Sequence, residues 1–321
     1  MTPGPSSVAS VLRLRDEVRR RLRGLFEAEG FLEVDTPSLA GEVLPEPFID
    51  PLHLELADGD CRFLQASPEA HMKRLLAAGS GPIYQFARCF RDGERGPRHD
   101  LEFVLLEWYA PGTTLDDTAG LLGRMAAAIL GRERPERIGC REAFRLHAGI
   151  DPFTATPAAL AEAAARGGIA LPESHATGTP AERFDRLFEL LLAEAVGPRL
   201  GHGRPVMLEA WPASQAAFAR VVGDRPPIAR RFELFIDGVE LANGWEEETC
   251  PRRLRERIEQ ANQVRLADGR QPLPLPERFL AAHEPALPEG VGVALGFDRL
   301  VMLAASADSI DAVRCFSSET A

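Results

Sequence analysis

Two apolar runs, IYQFARCF (83–90) and LEFVLLEWY (101–109), read as strands that must meet across the ten polar residues RDGERGPRHD (91–100). A second pairing signal lies in RRFELFIDGVELANGW (230–245), two alternating runs joined by Asp237-Gly238, a dipeptide suited to a tight hairpin turn. Around these strands the spacing is helical. Val11, Leu14, Val18, Leu22 and Leu25 recur every three or four residues and predict an amphipathic helix with Arg13, Arg19, Arg20 and Arg23 outside, ending near Gly30. FLEVDTP then predicts a short strand before Pro37. Ser67-Pro68-Glu69 predicts a helix to about Ala78, with Ser67 as N-cap and Pro68 at its first position. Residues 114–130, 182–196 and 252–266 have helical periodicity, and VGVALGFDRLVMLAA (291–305) reads as a strand running into a helix.

Composition narrows the class. The chain has 321 residues, 45% hydrophobic and 26% charged, which suits one or two soluble globular domains and excludes collagen and small disulfide scaffolds. No apolar run is long enough to span a membrane, and MTPGPSSVAS lacks the charged and apolar regions of a signal peptide. Residues 1–7 are expected to be disordered. The net charge of −11 argues against extensive binding to nucleic-acid phosphates. Five scattered cysteines without CxxC spacing fit a reducing, cytoplasmic setting and no zinc ribbon. Lys73 is the only lysine among 37 basic residues, a bias read first as codon usage.

Four clusters carry chemistry. Period two puts Phe103, Leu105, Glu107 and Tyr109 on one strand face, either open to solvent or forming a pocket floor that holds a cation beside an aromatic ring. A two-residue turn pairs Phe235 with Glu240 and Glu233 with Ala242. Glu233 and Glu240 are then diagonal neighbours about 7–8 Å apart, either solvated or sharing a cation such as Mg²⁺. Asn243, Trp245 and Glu247 have the opposite parity and join that face only through a bulge, for which Asn243-Gly244 is the natural place. The loop with Arg91, Arg95, Arg98 and His99 is either a solvated turn or a phosphate clamp. Gly292, Gly296 and Arg299 could admit an anion at a strand end.

Read in order, these segments resemble a known family. The helix leading to GFLEVDTP resembles motif 1 of class II aminoacyl-tRNA synthetases, FARCFRDGERGPRHDLEFVLLEWY resembles motif 2, and GVALGFDRLVML resembles motif 3. SPEAHMKRLL, LEFVLLEWY and ELANGWEE look like the lysyl-tRNA synthetase group, and PASQA and GVALGFDRLVMLA like its truncated paralogues, the elongation factor P lysine ligases. The resemblance implies an α+β fold, a mixed but mostly antiparallel sheet of six or seven strands flanked by helices. It implies one catalytic domain over residues 8–321 without an anticodon-binding domain, and a homodimer built on motif 1. Lysine, as the (R)-β isomer, would be activated with ATP and Mg²⁺ and transferred to a lysine side chain of elongation factor P, with tRNA not used.

The resemblance also assigns residues. Arg91 would hold the α-phosphate and the amino-acid carboxylate, and Arg299 the γ-phosphate. Phe103 would stack on adenine, with Glu94 and His99 near the nucleotide. Glu233 and Glu240 would bind metal, Glu240 also facing ATP. Glu69, Glu107, Tyr109, Asn243, Trp245, Glu247 and Ala294 would line the lysine pocket. Several positions depart from the pattern: the motif 2 acid stands at Glu94 with Gly93 in its usual place, Asp100-Leu101 replaces Asn-Pro, Trp245 replaces phenylalanine, and Ala294 replaces glycine. The arginine-rich face of the first helix and the run Arg252, Arg253, Arg255, Arg257 could dock an acidic partner or lie solvated. Two other readings stay open, a different class II ligase without an anticodon domain and a non-catalytic nucleotide-binding module. SPE rather than SPQ at Glu69 favours a lysine-type over an aspartate-type pocket.

Overall fold

The computed structural model describes residues 7–284 and 287–321. In chain order the helices are α1 (Val8–Ala28), α2 (Glu69–Ala77), α3 (Leu115–Leu130), α4 (Cys140–His147), α5 (Pro157–Arg166), α6 (Pro180–Leu191), α7 (Pro251–Ala267), α8 (Glu277–Ala282) and α9 (Phe297–Ala304). The strands are β1 (Leu32–Glu33), β2 (Leu39–Ala40), β3 (His53–Glu55), β4 (Cys61–Leu64), β5 (Ile83–Phe90), β6 (Glu102–Pro111), β7 (Glu136–Gly139), β8 (Val206–Pro212), β9 (Val221–Val222), β10 (Ile228–Ile236), β11 (Val239–Glu246) and β12 (Gly290–Gly296). The fold is α+β. These elements fall into two compact units: residues 1–114, 124–131 and 249–321, and residues 115–123 and 132–248. The disorder expected over residues 1–7 falls on residues outside those described, except Ser7. That residue caps α1 by accepting from the Ser10 N–H, with the Ser10 side chain returning the bond.

In the first unit the strand order is β1-β5-β6-β12, antiparallel except where β1 meets β5, with a small β2-β4-β3 sheet beside it. The polar run at 91–100 is the β5–β6 connection, so the two strands pair in register from Ile83↔Tyr109 to Phe90↔Glu102. α1 buries Val11, Val18, Leu22 and Phe26; Phe26, rather than Leu25, completes the stripe and stacks on Tyr84 at 4.3 Å between ring centroids. Its arginines are largely committed within the unit. Arg23 pairs with Glu33 at 2.8 Å, Arg20 with Asp16 at 3.0 Å, and Arg19 lies over Phe86 and Phe297. On α7, Arg252 pairs with Glu256 at 3.2 Å, and Arg255 with Glu277 of α8 at 2.8 Å. Acids of the same unit therefore already offset much of the charge considered for docking.

The second unit pairs β11-β10-β8-β7, with β9 beside β10 and β7 parallel to β8. Phe144, Phe188 and Trp211 centre its core, Phe188 stacking on Phe144 at 4.6 Å. Asp237 and Gly238 both take positive φ, +50° and +72°, the turn that the dipeptide favours. β8 has no clean alternation in VMLEAWP, and its place is set by pairing with β10.

Candidate active site

In the first unit, β6 is buried on both faces, not only on one. Glu107 is 1% exposed and Tyr109 3%, so the solvent-open reading of this strand is overturned. A carboxylate there needs donors. Tyr109 Oη donates to Glu107 Oε1 at 2.6 Å, and Ser67 Oγ donates to Oε2 at 2.9 Å. Ser67 also accepts from the Glu69 N–H at 3.0 Å, which anchors the start of α2. α2 begins one residue later than the capping pattern predicts, with Pro68 as N-cap. Ser67 is thus spent on Glu107 as well as on the helix. Glu69, buried, is ion-paired with Lys73 at 2.6 Å, one helical turn on. Burial pushes the Glu107 carboxyl up to about 8, and the Glu69 charge adds to this; the bonds from Tyr109 and Ser67 and the Lys73 charge oppose it. Ala294 on β12 lies directly opposite Glu107, and its methyl packs with Phe103 against the cluster of Ala87, Cys89 and Leu105.

Four residues along β6 from Glu107, Phe103 lies under the Arg91 guanidinium at 5.0 Å. Arg91 also reaches Glu94 Oε1 at 3.3 Å and the Ala66 carbonyl at 3.4 Å. Gly93 sits at φ +74°, where a side chain is strained, so the acid stands one residue on and still meets Arg91. Arg299, in the first turn of α9, bonds His99 Nε2 at 2.8 Å and the Arg98 carbonyl at 3.3 Å. Arginine has no acceptor, so His99 Nε2 is unprotonated in this contact. Asp298 holds that helical turn in place, accepting from the Val104 N–H at 2.9 Å and pairing with Arg15 at 2.7 Å. The loop's far end is fixed by Asp100. That residue takes Arg314 at 2.7 Å and the Ser318 N–H at 3.0 Å, and Leu101 follows it as the strand begins. Burial would raise the Asp100 carboxyl, but the Ser318 and Leu101 donors and Arg314 bring it below the usual range.

The second unit carries the other predicted residues on one face. Phe235 opposes Glu240 as expected, but Leu234 opposes Ala242 and Glu233 opposes Asn243. The expected pairing of Glu233 with Ala242 is therefore corrected. A bulge at Leu241, not at Asn243-Gly244, shifts the register by one residue. That shift puts Asn243 and Trp245 on the same face as Glu233 and Glu240. Arg231, two residues before Glu233, completes the group. It donates to Glu233 Oε1 at 2.7 Å, to Asn243 Oδ1 at 3.3 Å and to the Gln215 carbonyl at 2.9 Å, over the Trp211 ring at 4.2 Å. Trp245 Nε1 donates to Glu247 Oε2 at 3.1 Å, an anchor that phenylalanine could not supply. Burial raises the Glu233 carboxyl well above its usual range, with Glu240 and Glu189 adding to the effect and Arg231 opposing it. Glu189 on α6 is raised chiefly by burial and also faces Glu240.

Sequence reasoning missed Ser67 as a ligand of Glu107, and Arg231 and Glu189 altogether. Arg231 was within reach, since its parity matches Glu233. Among the described residues no group of three or more His, Cys, Asp or Glu is arranged to hold a metal ion. No described helix is long and apolar enough to cross a membrane. The first unit thus offers a buried carboxylate site for a cation and an arginine pair for an anion. The second offers a carboxylate pair under mutual repulsion.

A family model described as tRNA synthetases class II (D, K and N) matches residues 5–320. Curated relatives agree along nearly their full length. The chain is 39% identical over 322 residues to an elongation factor P--(R)-beta-lysine ligase of Edwardsiella ictaluri, covering 99% of this chain and 98% of the relative. It is 38% identical to the protein of that name in Pectobacterium atrosepticum (98% and 97% covered) and 37% identical to that in Klebsiella pneumoniae (99% and 98% covered).

Proposed function

The chain belongs to the class II tRNA synthetase family of the D, K and N type, and we propose that it is an ATP-dependent ligase that activates (R)-β-lysine, or lysine, and transfers it to a lysine side chain of elongation factor P. The observation that carries the reading is Glu107: a carboxylate with 1% exposure, gripped by Ser67 and Tyr109 beside Glu69, is built to receive an ammonium removed from water.

In the first step the amino-acid carboxylate attacks the α-phosphorus of ATP, the bond to pyrophosphate breaks, and an aminoacyl-adenylate forms. Arg91 binds the α-phosphate and the incoming carboxylate, its fork matching both. It stabilises the charge that develops between them. Phe103 takes adenine against its ring, with Glu94 and His99 at the nucleotide. Arg299 holds the γ-phosphate. Glu69, Glu107 and Tyr109 orient the substrate amine, with Ala294 opposite Glu107; for Asn243, Trp245 and Glu247 a lysine-contacting role is carried over from the family resemblance. In the second step the acceptor amine attacks the acyl carbon, the amide bond forms and AMP leaves. No protein nucleophile is needed, so catalysis is positioning and electrostatics.

Mg²⁺ fits the second unit's acids. Glu233 and Glu240 are hard oxygen donors that repel one another, and Arg231 offsets only part of their charge. Two carboxylates with phosphate oxygens completing the shell is the usual way a protein holds this ion. Bound there, it would neutralise phosphate charge.

A screen of amino-acid-dependent pyrophosphate exchange tests the activation step, with lysine or β-lysine expected to support exchange and aspartate not. Glu107 sets the pH dependence. It must be ionised to hold an ammonium, so log kcat/KM for lysine is expected to climb with pH and level off near pH 8, while KM for ATP stays flat. A lysine profile flat from pH 6 to 9 would contradict the assignment. The reading also includes a homodimer and a cytoplasmic place of action. Light scattering is expected to give about twice the 35.0 kDa chain mass, and a clean monomer would refute the dimer.

A further inference from the structure

Lys73 stands out on two counts that the reaction above does not use. It is the only lysine among the 37 basic residues of the chain, and it is fully buried, at 0% exposure. Its Nζ lies 2.6 Å from Glu69 Oε1 and 5.7 Å from the centre of the Tyr109 ring. Tyr109 in turn bonds Glu107, so one short chain of contacts links the internal ammonium to both carboxylates of the candidate lysine site. Below it, His283 is fully buried and its Nδ1 contacts the Phe279 carbonyl at 2.7 Å. Burial lowers this imidazole to about 4, so it stays neutral at working pH and Lys73 is the buried cation there.

Two carboxylates close together in an apolar site repel, and a flexible glutamate would turn away. A fixed ammonium one helical turn along prevents both. We propose that Lys73 is a positioning residue of the amino-acid site: its ammonium fixes Glu69 in one rotamer and offsets its charge, leaving Glu107 as the uncompensated carboxylate that meets a substrate ammonium. The proposal rests on the functional reading above and names a residue which that reading leaves without a role. It has a chemical corollary. A ligase that makes an acyl group reactive toward lysine amines carries its own lysine beside the substrate. Attack would need a nitrogen lone pair to form the C–N bond, expelling AMP and releasing a proton. An ammonium in an ion pair has no lone pair to offer, so Lys73 is not an acceptor.

The test is Lys73→Met, followed by steady-state kinetics across pH. The groups facing Glu107 are Glu69 and Lys73 from α2, Ser67 before it, Tyr109 on its own strand and Cys89 on β5. Of these, only Lys73 is a cation, and it lowers the Glu107 pKa. Its loss is expected to raise KM for lysine about tenfold or more, with KM for ATP unchanged. The acid limb of kcat/KM for lysine should move up by about half a pH unit or more. In a Glu69→Gln background the same substitution should change KM for lysine less than it does in the native protein, since only the direct effect of Lys73 on Glu107 remains. Equal changes in both KM values with an unmoved limb, or the same effect in both backgrounds, would overturn the proposal. Should Lys73→Met not fold, the native enzyme supplies the second measurement. It is incubated with ATP and (R)-β-lysine without acceptor until pyrophosphate is released, and its peptides are then weighed. Lys73 is expected to be unmodified; a lysyl adduct on Lys73 would overturn the proposal. Absence of any pyrophosphate release would instead count against the functional reading itself.

Discussion

Replacing Glu107 by alanine is expected to abolish lysine-dependent pyrophosphate exchange while ATP binding stays near its native strength. The carboxylate is buried on both sides of β6, and its two oxygens are committed to Ser67 and Tyr109. Truncating one partner of a buried charge pair costs about 2–5 kcal/mol. At about 1.4 kcal/mol per tenfold that is roughly 30- to 4,000-fold in kcat/KM for lysine. ATP is assigned to other residues: Phe103, four positions away on the same strand face, the Arg91–Glu94 pair, and Arg299 with His99. Calorimetry with ATP should therefore give nearly the same dissociation constant for variant and native protein. Loss of ATP binding in the Glu107 variant would move this residue out of the amino-acid pocket.

Arg91→Ala is expected to lower the rate of adenylate formation by about 10²–10³-fold, the usual consequence of removing a donor aimed at charge that develops in the transition state. Arg91→Lys should recover little. A lysine ammonium is a point charge that can neither bridge phosphate and carboxylate oxygens nor lie flat on Phe103 as the guanidinium does at 5.0 Å. Single-turnover formation of AMP-linked lysine, followed by quenched flow, measures the step directly. A lysine variant with near-native rate would show that charge alone matters at this position.

Much of this was legible in short-range pattern. The strand–loop–strand around Arg91, the Asp237-Gly238 turn and the strand-to-helix run ending at Arg299 depend on local chemistry, and the structure has all three. What the sequence could not fix was register and distance. Glycine at 244 drew the bulge to the wrong place. A bulge needs no positive φ, and here the extra residue is Leu241. That one extra residue decides whether Asn243 and Trp245 join Glu233 or face away from it. Period two placed Glu107 beside two aromatics, but only burial on both faces separates a pocket floor from a wet sheet. Ser67 looked like an ordinary cap, because its bond to Glu107 crosses 40 residues. Asp100-Leu101 looked like a departure from pattern, yet Arg314 and Ser318 hold the aspartate from more than two hundred residues away. Lys73 was visible only as an oddity of composition until the ion pair with Glu69 gave it a place.

The most direct measurement of the central claim is a modification assay with α-lysine and (R)-β-lysine side by side. Purified enzyme is incubated with ATP, Mg²⁺, elongation factor P and one amino acid, and the acceptor is weighed intact. The account predicts a single added lysyl mass on elongation factor P, dependent on ATP and located on a lysine side chain, with the β isomer preferred. Unmodified elongation factor P with both isomers, from enzyme that still binds ATP, would contradict it.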